Sequence, residues 1–208
     1  MILSEAIDAL AVATIANGRS KRTAESYREK LSHLVAFLGD HPVDGVTVAD
    51  LRRYVADLRT REQRYEDHPY RAKVDGALSP ATVASMVRAV KRLFNFLQDE
   101  GLVTSNPGRN VSVARPSKGK APKAIVFADL RRLLDATAGD DPASLRDRAV
   151  ILFLADTGCR VGGLVGLRLA DVDLARRVAV VTEKGDKTRA VYFQDLTRDA
   201  LARRLAVR

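Results

Sequence analysis

From Ser20 to Leu38 the apolar residues Ala24, Tyr27, Leu31, Leu34, Val35 and Leu38 recur at steps of three and four, and Gly39 stands where a helix stops. That is the stripe of an amphipathic helix. Residues 2–16 form a shorter, apolar-rich helix before it. Thr47 can cap a third helix with Asp50 at its N3 position, and Val48, Leu51, Val55 and Leu58 supply its apolar stripe. A charged, Tyr-containing loop spans about Gln63 to Ala77. Ser79 then caps and Pro80 opens a fourth helix, with Val83, Met86, Val87, Val90, Leu93, Phe94 and Leu97 inward and Gly101 at its end.

Between Thr104 and Lys123 the periodicity vanishes. The stretch holds Pro107, Pro116, Pro122, Gly108 and Gly119, carries Arg109, Arg115, Lys118, Lys120 and Lys123, and has no acidic residue. It reads as a basic linker. Beyond it the pattern mixes periods. Phe127–Ala138 and Leu145–Thr157 read as helices, and Val161–Leu169 as a short one interrupted by Gly162-Gly163. Val178–Thr182 and Arg189–Phe193 are β-rich runs around Glu183-Lys184-Gly185-Asp186-Lys187-Thr188, a hairpin with a basic tip. Asp195–Val207 returns to helix. The chain thus divides into a helical domain (1–103), a linker (104–123) and an α+β domain (124–208).

Composition narrows the function classes. At 46% apolar and 29% charged the chain is an ordinary globular one, not a low-complexity one. Its longest apolar run, Ala149–Ala155, falls far short of the roughly 20 residues of a membrane helix, and the first residues lack the basic start of a secretory signal. A single cysteine, Cys159, cannot form an internal disulfide, so a cytoplasmic setting is expected. Three scattered histidines and one cysteine offer no metal-ligand spacing. No cofactor motif is present: Gly162-Gly163 lacks the strand and the Lys-Ser/Thr of a phosphate loop.

Charge adds a direction. Lys and Arg number 35 against 26 Asp and Glu, a net +9, the balance of a nucleic-acid binder. Arginine enrichment (26 Arg, 9 Lys) in an Ala- and Val-rich chain also arises from genome composition, so placement matters more than the total. Arg88, Lys91, Arg92 and Asn95 stand at i, i+3, i+4 and i+7 on the fourth helix, opposite its apolar stripe. Arg and Asn there can reach base edges and Lys can reach phosphate; the alternative is a solvated helix face. Lys21 and Arg22 repeat the feature at the start of the second helix.

The strongest signal is an ordered set. Thr157-Gly158-Cys159-Arg160 closes an apolar helix, Leu164-Val165-Gly166-Leu167-Arg168-Leu169-Ala170-Asp171-Val172-Asp173 follows, and the hairpin tip Glu183-Lys184-Gly185-Asp186-Lys187-Thr188-Arg189 comes one β-run later. Here the chain resembles the phage-integrase type of tyrosine recombinase, with its Thr-Gly-x-Arg turn, Leu-x-x-x-Asp-x-Asp lead-in and Gly-Lys-Gly-x-Lys-x-Arg hairpin. Ser20–Tyr27 is similar to the opening of the family's core-binding domain, and Leu78–Val83 through Gly101–Pro107 to its last helix and exit. The likeness extends over essentially all 208 residues.

The resemblance implies a mainly α, two-domain protein: an N-terminal four-helix SAM-like core-binding domain, then an incomplete α+β catalytic domain with a small antiparallel hairpin. It implies double-stranded DNA as partner, clamped from both faces, and a nucleoid-associated cytoplasmic location. Arg160 matches the family's first catalytic arginine and Lys184 its hairpin lysine; the basic linker residues Arg115, Lys118 and Lys120, with Lys187 and Arg189, become DNA contacts. The chemistry suits the types. Phosphodiester cleavage builds charge on non-bridging oxygens, which a planar guanidinium can bind in bidentate fashion, and a lysine on a hairpin can protonate the leaving oxygen.

Two departures stand out. An acidic residue usually stands three after the first arginine and helps hold it; here the position is Gly163, so Arg160 is expected to be less firmly placed. Gly162-Gly163 also weakens its helix by roughly 1 kcal/mol per glycine. The His-x-x-Arg box and the nucleophilic tyrosine of the family are not found before Arg208, and Tyr192 lies on a hairpin strand. The expectation is a DNA binder that cannot cleave alone. It is a fragment of a recombinase, a non-catalytic accessory or competitor at recombinase sites, or an interaction protein. In the last case, self-association or a recombinase partner completes the second domain.

Overall fold

The computed structural model describes residues 1–64, 72–112, 124–183 and 185–207. The chain divides into two compact units, Met1–Lys120 and Ala121–Arg208.

Among the described residues of the first unit four α-helices form: α1 (Leu3–Ala16), α2 (Lys21–Leu38), α3 (Val48–Thr60) and α4 (Pro80–Asp99). Their starts follow local chemistry. The Ser20 hydroxyl accepts from the Thr23 N–H at 3.3 Å and the Ser79 hydroxyl from Thr82 at 3.1 Å. Thr47 and Asp50 form the expected capping box, with N–H bonds of 2.9 and 3.2 Å in the two directions. The Thr47 hydroxyl and N–H, then Arg53, hold the Asp50 carboxyl down to about 2. The α1 start is different, because Ile2 has no capping side chain. The Asp40 carboxylate supplies the cap instead, accepting from the Ser4 N–H at 2.8 Å and its hydroxyl at 2.6 Å.

Helix α4 is the centre of this unit and packs against α1, α2 and α3. All seven residues of its expected stripe are buried, and so are Ala84, Ala89 and Phe96. Tyr54 of α3 is fully buried beside Phe37, ring centroids 5.6 Å apart. Two features differ from the sequence expectation. The loop after α3 contains a two-stranded antiparallel pair, β1 (Gln63–Arg64) with β2 (Val74–Asp75). The first unit also extends past residue 103. Val103, Asn106, Pro107, Gly108 and Val111 are buried, and a 3-10 turn over Pro107–Asn110 lies against α3 and α4. Proline and glycine here end one helix and build a fitted turn. The rest of the expected linker, 113–123, lies outside the described residues.

In the second unit come α5 (Phe127–Asp135), α6 (Pro142–Thr157), α7 (Val161–Val165), β3 (Val172–Asp173), β4 (Val178–Glu183), β5 (Lys187–Tyr192) and α8 (Asp195–Ala206). Helix α6 starts three residues earlier than its apolar pattern because Asp141 caps it, accepting from Ala143 and Ser144 at 3.0 Å each, with Pro142 in the first turn. Helix α7 is shorter than expected; a 3-10 turn at Leu169–Asp171 follows it. The sheet is antiparallel in the order β3-β4-β5, with Ala179 opposite Val191 and Glu183 opposite Lys187 at the hairpin end. Alternation along β4 sends Ala179 and Val181 into a core with Phe153, Cys159, Val191 and Phe193. Helix α8 packs on α6, and the Asp156 carboxylate caps it, accepting from the Gln194 N–H at 2.8 Å and the Thr197 hydroxyl at 2.6 Å.

Candidate nucleic-acid interface

On the first unit, the four residues of the α4 stripe emerge from the helix that is otherwise its core. Arg88 and Asn95 are exposed, and Lys91 and Arg92 half-buried. Two of the four also serve the fold. The Lys91 ammonium donates to the carbonyls of Arg109 (3.3 Å) and Val111 (2.9 Å), and the Asn95 side-chain oxygen accepts from Asn106 at 2.8 Å. Lys91 and Asn95 thereby fasten the 3-10 turn to α4. Lys21 and Arg22 are exposed in the first turn of α2, with Arg22 3.5 Å from Glu25.

On the second unit the site is built by a turn. Helix α6 ends at Gly158, whose φ of 56° is in the left-handed region that favours glycine. The Thr157 hydroxyl donates back to Phe153 at 2.6 Å and accepts the Cys159 N–H at 3.3 Å. Buried Cys159 then anchors the turn in the core. The next residue, Arg160, is thrown outward as the N-cap of α7, its side chain 70% exposed.

Glu183, the last residue of β4, meets it there. One carboxylate oxygen accepts the Arg160 N–H at 2.7 Å and the other accepts Nη1 of its guanidinium, also at 2.7 Å. Arg189 approaches the same two oxygens from β5 at 3.4 and 3.5 Å. The Glu183 side chain is only 8% exposed. The Arg160 N–H, then Arg189, hold its carboxyl below the ordinary carboxylate range, so it is ionised at neutral pH. Among the described residues Nη1 is the one guanidinium nitrogen of Arg160 that makes a hydrogen bond, and the side chain is 70% exposed.

The looseness expected of Arg160 is therefore offset by Glu183, a residue that the hairpin pattern alone does not single out. The available signal was a pair of coincident departures: a glycine where an acid is usual, and an acid beside the hairpin lysine. Lys187 is exposed at the start of β5. Lys184, Arg115, Lys118 and Lys120 lie outside the described residues. Tyr192 is 71% exposed and pairs with Val178, at the opposite end of the hairpin from Glu183. Among the described residues no group of three or more His, Cys, Asp or Glu is arranged to hold a metal, and no helix is long and apolar enough to cross a membrane.

The chain belongs to the phage integrase family: the Phage integrase family model matches residues 123–208, and the Phage integrase, N-terminal SAM-like domain model matches residues 12–101. Tyrosine recombinase XerC of Alcanivorax borkumensis is 31% identical over 191 residues, covering 91% of this chain and 57% of its own length. Tyrosine recombinase XerD of Mycobacterium tuberculosis is 33% identical over 193 residues, 86% of this chain and 57% of its own. The chain thus spans a little over half the length of these relatives. A lambda integrase dimer bound to a COC' core site has the same fold, with a TM-score of 0.67 at 18% identity over 97% of this chain and 68% of that one.

Proposed function

We propose that this chain is a DNA-binding recombinase of the tyrosine type. The first unit reads duplex through Arg88 and Arg92, with Lys21, Arg22, Lys91 and Asn95 adding phosphate and backbone contacts. In the second unit Arg160 and Lys184 act at the scissile phosphate, and Lys187 and Arg189 add DNA contacts. The single observation that carries this reading is Arg160: solvent-facing, fixed at a capped helix turn, with free donors for a phosphate. The relatives' names and the DNA-site-bound lambda integrase support it.

The 208-residue polypeptide on its own binds without cutting. Tyr192 is the second unit's one tyrosine, and it lies five residue steps along the hairpin from the Glu183 end, about 17 Å at 3.4 Å per residue. The test is incubation with a nicked suicide duplex. Retention of duplex without a covalent adduct is expected, and a denaturant-stable protein–DNA adduct overturns the inactivity.

A second reading adds association to the same DNA site. Helix α5 buries none of its residues, and Phe127 at its start is 75% exposed next to exposed Ile125 and Val126. Self-association or a recombinase partner would cover this face. Sedimentation decides it: a monomer at all concentrations, alone and on DNA, removes this reading.

A further inference from the structure

We propose that Glu183 is the positioning residue of Arg160, and that Gly163 is the small residue that makes room for it; this assignment rests on the DNA reading above. The geometry comes first. A carboxylate that binds both the backbone N–H and the guanidinium of one arginine fixes the two ends of that side chain at once. A flexible chain of four torsions becomes a preorganised fork, so less conformational freedom is lost when a phosphate arrives.

Charge is the second argument. A carboxylate beside an anion site repels the ligand unless it is outnumbered. Arg189 on the neighbouring strand shares the same oxygens, so two guanidinia to one carboxylate leave the cluster net positive. The Glu183 side chain is shielded at 8% exposure, while the Arg160 side chain it binds is 70% exposed.

Gly163 is the third. A Cβ built on Gly163 would lie 3.4 Å from Cγ of Glu183, 3.5 Å from Cβ of Val181 and 3.6 Å from the Thr182 carbonyl oxygen. These are ordinary van der Waals contacts, so a single methyl at 163 fits, and only a longer side chain there would meet the stem of Glu183. The converse also holds: a carboxylate projecting from 163, with nothing at 183, would enter the same space. Glycine at one position and glutamate at the other are one solution to a single requirement, an acid under the arginine.

The test is a double-mutant cycle in the full 208-residue chain, read as duplex affinity across a salt series, with Tm as a folding control. Arg160→Ala alone is expected to weaken binding about tenfold and to lower the salt slope by about one. In a Glu183→Asp background, which keeps the charge but shortens the reach, the same substitution should cost less than about threefold and leave the slope nearly unchanged. A merely structural Glu183 would lower Tm yet leave the Arg160 penalty intact, and that result overturns the assignment while sparing the DNA reading. No penalty for Arg160→Ala in the parent chain overturns both. Should Glu183→Asp melt below the assay temperature, the exchanged pair Gly163→Glu with Glu183→Gly replaces it. Return of the full Arg160 penalty there supports the assignment, and its absence overturns it.

Discussion

Single residues on this protein divide their labour in ways their identities do not announce. Of the four stripe residues on α4, Lys91 donates to two carbonyls and Asn95 accepts from Asn106, whereas Arg88 is exposed and away from these bonds. Lys91→Ala is therefore expected to lower stability by about 1–2 kcal/mol, two hydrogen bonds from a charged donor, with a matching fall in Tm. Arg88→Ala should leave Tm within a degree or so while weakening duplex binding and lowering the salt slope by about one. Arg88→Ala with Arg92→Ala should cost more on a specific site than on random duplex, measured by competition; equal losses reduce both to phosphate contacts. Tyr54 makes a contrasting case. Its hydroxyl is buried and has no partner among the described residues, and burial pushes its phenol above the ordinary range. Tyr54→Phe removes an unsatisfied polar group without changing the ring packing against Phe37. It should raise stability by up to about 1 kcal/mol in a denaturant melt.

At the scale of elements, the sequence was readable wherever the cause was local. Ser20, Thr47 and Ser79 announce α2, α3 and α4 because a cap and its N–H lie three residues apart. The apolar periods of α2 and α4 point to the cores the helices meet. What was not legible came from groups far apart in the chain. Helices α1 and α8 start at Ile2 and Gln194, poor caps, and borrow carboxylates from Asp40 and Asp156, each 38 residues away from its cap position. The same distance hid the Arg160 partner, 23 residues downstream on β4. Asp156→Ala should therefore behave as a cap deletion for α8, costing about 1–2 kcal/mol although the residue belongs to α6. The α3 box gives a pH test with a definite sign. The Asp50 carboxyl is held at about 2 when folded, against an unfolded value near 4. Its contribution is complete above about pH 4 and is lost as pH falls toward 2. The Tm gap between the parent and Asp50→Ala should be widest at neutral pH and narrow across that window.

For the whole molecule the excess of positive charge sets the expected behaviour. If roughly six cations contact phosphate, affinity for duplex should fall by about 10³-fold between 50 and 200 mM salt, and a flat titration would remove the electrostatic part of the reading. The division into two units and the helical character of the first were visible in the loss of periodicity after Gly101. The end of the first unit was not, since Val103–Val111 looks like linker until its burial under α3 and α4 is seen. One feature of the second unit reaches further than its distances. Because a single carboxylate at the end of β4 grips the turn that carries Arg160, and Arg189 on β5 reaches the same two oxygens, these two cations do not float independently. Their separation is ruled by one strand end. A displacement of the hairpin either carries Arg160 with it or breaks both bonds to Glu183. The spacing between the two charges thus behaves as one mechanical coordinate rather than two.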